Sequence, residues 1–305
     1  MRIVLIGEAA FGARVFETLR DKKEQIVAVF TPPDRPGARL DPLKEAAVNA
    51  GVALFQPQTY KDEDIFRSYC DIKPDLTIMA FVTAIIPPKY FKVPGSGAIC
   101  YHPSILPRHR GASAINWAII SGDTRTGLTI FRPDGGIDTG PVLLQKEVEI
   151  GPEDTTGSLY FKQLFPLGVE AIVESVGLIK EGRAPRITQD ETIATYEPPC
   201  DDRVAAIQWD QPGAGIYNLV RGCDPQPGAY TYFEGEKIRL YNAGLVEEDP
   251  NQAPGTITGL NERGIRIALD SATLLIGKIR SAGTGKVDAF SFATEAGATQ
   301  GKRLG

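Results

Sequence analysis

Apolar and polar positions come in blocks along the first half of the chain. "RIVLIG" at 2–7 is a continuous apolar run of strand length ending in glycine, and "AAFGARVFETLR" behind it spaces its apolar residues with a helical period. "QIVAVF" at 25–30 repeats the strand pattern, and "DPLKEAAVNAG" at 41–51 reads as a helix with Asp41 as N-cap, Pro42 in its first turn and Gly51 at its end. "PDLTIMAF" at 74–81 and "GAICYH" at 97–102 supply two more apolar runs. Strands that are apolar on both faces and alternate with helices predict an α/β domain whose mostly parallel sheet is covered on both sides.

The pattern then changes twice. "ASAINWAIIS" predicts a helix stopped by Ser121 and Gly122, and "TGLTIFR" and "GPVLLQKEVEI" predict two strands around the glycine-rich "PDGGIDT". Residues 154–182 read as one long helix that Pro166 should kink or break. Residues 183–202, "RAPRITQDETIATYEPPCDD", mix polarity with prolines and predict a linker between a domain at 1–182 and a second at 203–305. Beyond it, "PGAGIYNLVRGC" predicts a short helix, followed by short strands with glycine turns that suit a small β-barrel.

Composition narrows the function classes. The 305 residues are 42% apolar and 23% charged, enough for a substantial core and against long disordered tails. A net charge of −5 argues against a protein built mainly to hold nucleic acid, although a local basic patch remains open. No uncharged apolar stretch is long enough to span a bilayer, and the opening "MRIVLIGEAA" is too short for a signal sequence. Cys70, Cys100, Cys200 and Cys223 are far apart with no CxxC spacing, so reduced thiols and a cytoplasmic location are expected. Two histidines and scattered cysteines make no ligand set, so no metal is expected.

Candidate chemistry concentrates in two segments. The first glycine loop, "GEAAFG", carries Gly7 and Gly12 but lacks the middle glycine of a dinucleotide loop and any following Walker lysine, so it reads as a tight strand-to-helix turn. Both histidines, His102 and His109, fall within "ICYHPSILPRHRGASAINWAI" at 99–119. His102 ends an apolar strand, and Pro103 then takes the chain out of the sheet at its carboxyl edge, where ligands bind in open α/β sheets. "DGGID" at 134–138 places carboxylates on a glycine-rich loop, and a histidine oriented by a carboxylate is the minimal arrangement for general-base catalysis. His109, between Arg108 and Arg110, reads as part of a solvated basic turn, with a phosphate or polyglutamate contact as the functional alternative.

"YHPSILPRHRGASAINW" together with "DGGIDTGPVLLQKEVEI" resembles the folate-dependent formyltransferase family, whose pattern is HxSLLPxxxG followed by a D-x-G-x-D-x-G loop. The likeness runs through essentially the whole chain and includes "FTPPDRPG", "MAFVTAIIP" and "IQWDQPGAGIYNLVRGCDPQPGAY". Within the family the sequence looks most similar to the hydrolase domain of 10-formyltetrahydrofolate dehydrogenase. No counterpart of that enzyme's aldehyde dehydrogenase portion is expected, and hence no NADP-linked oxidation of the formyl group. The resemblance implies a Rossmann-like formyltransferase domain followed by a small OB-like β-barrel. It implies 10-formyltetrahydrofolate as the formyl donor, with His102 and Asp138 as catalytic residues. It places the pterin against Met79, Ala80, Phe81, Val82 and Ile86 on one side and Gly135, Gly136 and Ile137 on the other. One position departs from the pattern: members that act on amines carry Asn two residues before the histidine, where this chain has Cys100. A thiol is a weak donor, and losing one oxyanion donor typically costs about 2.7–4 kcal/mol, so Cys100 is a candidate determinant of the acceptor chemistry.

Three functions therefore compete. A formyl hydrolase, or a formyltransferase acting on a small amine, is favoured. A methionyl-tRNA formyltransferase would need a basic docking face and a longer loop than "TPPDRPGARLDP". From Arg203 onward, eleven basic residues are matched by eleven acidic ones, leaving no net attraction for phosphates. A non-catalytic folate-binding module is disfavoured because both His102 and Asp138 are present.

Overall fold

The computed structural model describes residues 1–246 and 250–305. A seven-stranded sheet organises the first half. β1 (Arg2–Gly7), β2 (Gln25–Phe30), β3 (Ala53–Phe55), β4 (Leu76–Ala80) and β5 (Ala98–His102) pair in parallel in the order β3-β2-β1-β4-β5. β6 (Arg125–Phe131) joins β5 antiparallel, and β7 (Val142–Glu149) is the outer strand. The mostly parallel α/β sheet expected from the apolar runs is present. Because the chain leaves β1 in one direction towards β2 and β3, then returns to build β4 and β5 on its other side, the order reverses at β1/β4. That reversal opens a crevice at the strands' carboxyl ends.

Strand alternation explains the two cores. Ile3, Leu5, Ile78, Ile99 and Tyr101 face one side, and Val4, Ile6, Ala28, Phe30 and Met79 the other, as a period of two requires. Helices α1 (Ala9–Asp21) and α2 (Pro42–Asn49) supply part of the first layer. α3 (Glu63–Ile72) and the short α4 (Lys89–Lys92) bring Tyr69 and Tyr90 to the second. β3 and α3 lie outside the elements expected from the sequence: β3 is only three residues long, and α3, although amphipathic, has one fully buried residue.

Gly7 and Gly12 serve packing, as the tight-turn reading requires. A Cβ on Gly7 would overlap Ala80 O of the neighbouring strand, and one on Gly12 would lie 2.9 Å from Leu43 Cδ2 of α2. Asp41 holds both helix starts: its Oδ1 accepts from Leu43 N at 2.9 Å, and its Oδ2 accepts from Ala9 N at 2.6 Å, at the start of α1.

The long helix expected over 154–182 is interrupted. After α5 (Ala114–Ile120), α6 covers Thr156–Leu159, a π turn covers Tyr160–Leu164 and α7 covers Phe165–Lys180. Pro166 sits in the first turn of α7, where a missing N–H costs nothing, and the π turn absorbs the irregularity ahead of it.

By internal packing the chain divides into two compact units. One comprises Met1–Gly111, Gly127–Val148 and Lys162–Tyr196; the other comprises Ala112–Thr126, Glu149–Phe161 and Glu197–Gly305. Two stretches expected in the first domain thus pack with the C-terminal residues. α5 lies along α8 (Gly213–Gly222), and Asn116 Nδ2 donates to Gly222 O at 2.7 Å. The rest of this unit is β8 (Ala229–Phe233), β9 (Glu236–Val246), β10 (Ile257–Asn261), β11 (Gly264–Ala268), β12 (Thr273–Ser281), β13 (Val287–Asp288) and α9 (Ala289–Glu295). Its strands form an antiparallel sheet in the order β10-β11-β12-β9-β8, with β13 on β12, around Ile238, Leu240, Ile267, Leu274 and Ile276. Among the described residues no helix is long and apolar enough to cross a membrane.

Asp41→Ala should lower the unfolding free energy by about 2 kcal/mol, since two helix starts lose a charged acceptor, while Asp41→Asn should retain part of it. Urea titration with an unchanged m-value checks both.

Candidate active site

β5 delivers His102 to the carboxyl edge of the sheet, where Pro103 ends the strand. The chain then folds into a turn that returns to the same imidazole. Ser104 Oγ donates to Arg108 O at 2.6 Å, Thr129 Oγ1 donates to Ser104 O at 2.7 Å, and Gln145 Nε2 donates to Leu106 O at 2.8 Å. This network holds the carbonyl of His109 2.7 Å from His102 Nε2. A carbonyl can only accept, so Nε2 carries its hydrogen, and Nδ1 is the ring nitrogen left to take or give a proton. His102 is 6% exposed and His109 3% exposed.

Asp138 faces that nitrogen. Its Oδ2 lies 3.4 Å from His102 Nδ1 and accepts a hydrogen bond from Gly111 N at 2.8 Å. Asp138 adopts φ 55° in the left-handed region, a conformation that Asp tolerates better than most residues. Its loop is shaped by Asp134, whose Oδ1 accepts from Gly136 N at 3.0 Å and Thr139 Oγ1 at 2.6 Å. The 3.4 Å separation is longer than a formed charge-assisted hydrogen bond of about 2.7–2.9 Å. In the neutral ring, two acceptors, the Nδ1 lone pair and the carboxylate, thus converge on one small volume, an arrangement suited to an O–H or N–H donor between them. The pairing of His102 with Asp138 is as the sequence suggested, but the imidazole tautomer is set by the His109 carbonyl rather than by Asp138.

The stretch expected as a linker helps build this site. Gln189 Nε2 donates to Asp138 O at 2.8 Å and Gly140 O at 2.7 Å, fixing both sides of the Asp138 loop. Gln189 Oε1 accepts from Arg110 Nε at 3.1 Å and Nη2 at 2.7 Å. Arg110 Nη1 and Nη2 also donate to the two oxygens of Glu191 at 2.8 and 2.6 Å, and Nη1 reaches Tyr196 Oη at 2.9 Å. All five guanidinium hydrogens are thereby used on a fully buried side chain. Hydrogen bonding to Glu191 pushes the Arg110 pKa further up, and the same bond holds the Glu191 carboxyl below its usual range. His109 N and Arg110 N donate to Thr195 Oγ1 at 2.8 Å and Thr195 O at 3.0 Å. The reading of a solvated basic turn holds for Arg108, which is exposed, and is corrected for His109 and Arg110, which are buried parts of the site's frame. The sequence signal that was missed is a run of hydrogen-bonding residues, Gln189, Glu191, Thr195 and Tyr196, hidden among prolines.

Cys100 lies two residues before His102 on the same side of β5. It packs with the cluster that includes Met79 and Ile86, and its Sγ approaches Tyr101 O at 3.7 Å. Burial first, and the Asp138 charge second, push its thiol pKa well up, so it stays protonated. Of the residues expected around the pterin, Met79, Ala80 and Ile86 are buried in the core, Val82 is half-buried, and Phe81, Gly135, Gly136 and Ile137 are exposed. Phe81 takes φ 58° and turns the chain at the end of β4. Phe81 and Val82 line a cavity of about 400 Å³ at the β1/β4 crevice, together with Glu8, Thr31, Tyr60 and Thr83; Met79, Ala80, Ile86, Cys100 and the 135–138 loop are not among its walls. Among the described residues no group of three or more His, Cys, Asp or Glu is placed to hold a metal ion.

A parallel sheet with a histidine at a strand end and an aspartate on a glycine loop defines a class, and comparison with known proteins places the chain within it. Residues 1–176 match the formyl transferase family and residues 201–297 its C-terminal domain, and the chain belongs to that family. It is 40% identical over 271 residues to mitochondrial 10-formyltetrahydrofolate dehydrogenase of Mus musculus, covering 87% of this chain and 29% of that protein. It is 34% identical over 288 residues to methionyl-tRNA formyltransferase of Alkaliphilus oremlandii (strain OhILAs), covering 93% of each. The chain thus spans less than a third of the dehydrogenases' length. In fold it matches HypX from Aquifex aeolicus in complex with tetrahydrofolic acid, with a TM-score of 0.71 and 20% identity, over 97% of this chain and 47% of the other. It also matches the N-formyltransferase from Helicobacter canadensis in complex with folinic acid and dTDP-3-aminofucose, with a TM-score of 0.70 and 17% identity, over 90% and 98%.

Gln189→Leu strands two loop carbonyls and one face of a buried guanidinium, and should cost roughly 2–4 kcal/mol of stability and lower turnover as well. Chemical denaturation and steady-state kinetics on one preparation test this. In the native protein Cys100 should be alkylated at pH 8 far more slowly than in the unfolded chain, as peptide mapping after iodoacetamide treatment would show.

Proposed function

We propose that this protein removes the formyl group of 10-formyltetrahydrofolate and passes it to water or a small amine. The observation that carries the reading is the His102–Asp138 pair, with Nε2 committed to the His109 carbonyl and Nδ1 facing the carboxylate across 3.4 Å. The 40% identity to 10-formyltetrahydrofolate dehydrogenases supports the donor, and the structural likeness to a tetrahydrofolate complex agrees with it.

The chemistry follows from the two acceptors. A water or amine attacking the formyl carbon must lose a proton as its new bond forms. His102 Nδ1 takes that proton, and Asp138 Oδ2 stabilises the imidazolium that results. The same Nδ1–H then serves the departing N10, a weakly basic arylamine that leaves well only when protonated. Phe81, Val82 and the 135–138 loop are the parts of the expected pterin surroundings that remain accessible to a flat heterocycle, while Met79, Ala80 and Ile86 support them from the core. The Cys100 thiol approaches the carbonyl of Tyr101 and stands where amine-directed members carry an amide side chain. Cys100→Asn should leave folate binding intact and change the ratio of hydrolysis to amine formylation.

A second reading, methionyl-tRNA formyltransferase, is favoured by one observation: the 34% likeness to such an enzyme runs through 93% of both chains. One experiment separates the two. The protein is incubated with 10-formyltetrahydrofolate alone, then with small amines, then with uncharged and methionylated tRNA, while tetrahydrofolate and formate are followed. Formate release without an acceptor, or transfer to a small amine, supports the proposal; strict dependence on methionylated tRNA overturns it. His102→Ala and Asp138→Asn should each lower turnover by roughly 10²–10⁴-fold, the range for a general base, with little change in folate affinity.

A further inference from the structure

Two of the four cysteines meet, although they are 23 positions apart in sequence. Cys200 Sγ lies 3.7 Å from Cys223 Sγ in the C-terminal unit. Cys200 ends the segment "EPPC", which is tied to α5 twice: Trp117 Nε1 donates to Pro198 O at 2.6 Å, and Cys200 N donates to Ser113 Oγ at 3.1 Å. Cys223 caps the C-terminal end of α8, its N–H donating to Leu219 O at 2.9 Å. Both sulfurs are therefore carried on anchored backbone. A disulfide bond is about 2.05 Å long, so the pair needs to close by about 1.7 Å, within reach of side-chain rotation.

The two thiols are not equivalent. Cys200 is half-buried and lines a cavity of about 610 Å³ with Ser113, Asn116, Asp201, Arg203 and Gln226. Cys223 lies behind it, fully buried in the core of the unit. The contact between the two sulfurs lowers the Cys200 pKa and raises that of Cys223. An accessible, activated thiol with a buried partner in contact is the arrangement of an attacking and a resolving cysteine.

We propose that Cys200 and Cys223 form a thiol–disulfide exchange site that accepts a low-molecular-weight disulfide through the cavity at Cys200. In the first step the Cys200 thiolate attacks one sulfur of the incoming disulfide RSSR. The S–S bond of RSSR breaks, a Cys200–S–SR bond forms, and RS⁻ leaves with the electron pair. In the second step the Cys223 sulfur attacks the Cys200 sulfur, closing the protein disulfide and expelling a second RS⁻. The two thiol protons pass to the two departing thiolates, so the protein dithiol is oxidised and RSSR is reduced to two RSH. Cys70 and Cys100 have no thiol partner among the described residues, and Cys100 is held protonated, so both serve as internal controls.

The test uses the full chain and glutathione disulfide as the probe. After incubation, free thiols are blocked and the protein is digested without reduction. The expected product is a peptide pair joined through Cys200 and Cys223, with Cys70 and Cys100 blocked as free thiols and two glutathione molecules released per chain. In Cys223→Ser the reaction should stop at a glutathione adduct on Cys200; in Cys200→Ser, Cys223 should stay unmodified. A stable glutathione adduct on Cys200 of the unaltered protein would overturn the proposal. So would modification of Cys70 or Cys100 ahead of Cys200, or a Cys223 that reacts without Cys200. Circular dichroism of each variant separates a failure to fold from a failure to react, and the unaltered protein carries the test if a variant does not fold.

Discussion

The site depends on one hydrogen bond, from His102 Nε2 to the backbone carbonyl of His109 at 2.7 Å. Because the acceptor is main chain, the bond is set by the path of the turn rather than by a side chain that could rotate away. It removes one ring nitrogen from proton exchange and turns the other towards Asp138. The remaining features of the site hold either the carbonyl or the carboxylate. Ser104, Thr129 and Gln145 fix the turn from the sheet side, and Thr195 fixes it from the strap formed by residues 183–196.

Arg110 illustrates what it takes to place such a turn inside a protein. A buried guanidinium is tolerated only when its donors are filled, and here all five are, by Gln189, Glu191 and Tyr196. The arrangement couples the two halves of the site: Gln189 accepts from Arg110, next to the carbonyl that orients His102, and donates to the carbonyl of Asp138. The imidazole and the carboxylate thus share a support that touches neither reacting atom.

Much of the sheet was readable from the chain. Apolar runs at 2–7, 25–30, 74–81 and 97–102 mark strands buried on both faces, and a histidine followed by proline marks a strand exit. Asp138 was readable because a carboxylate beside glycines at a hairpin end is chemically conspicuous. The strap was not. Residues 183–196 carry no hydrophobic period, since their contribution is made through side-chain hydrogen bonds to distant partners, and polarity with prolines looks the same in a solvated linker. Arg110 was misread for a related reason: its buried state depends on Glu191, 81 residues away. The π turn before Pro166 escaped because local sequence marks a break in a helix without saying how the ladder adjusts around it.

Catalytic readings of this site rest on the proton-bearing state of one ring, which can be observed directly. In uniformly ¹⁵N-labelled protein, with the two imidazoles distinguished by His109→Asn, long-range ¹H–¹⁵N correlation reports which nitrogen of His102 is protonated. The account predicts a hydrogen fixed on Nε2, held by the His109 carbonyl, and a lone pair on Nδ1 facing Asp138. A neutral His102 that carries its hydrogen on Nδ1 and leaves Nε2 bare would contradict it.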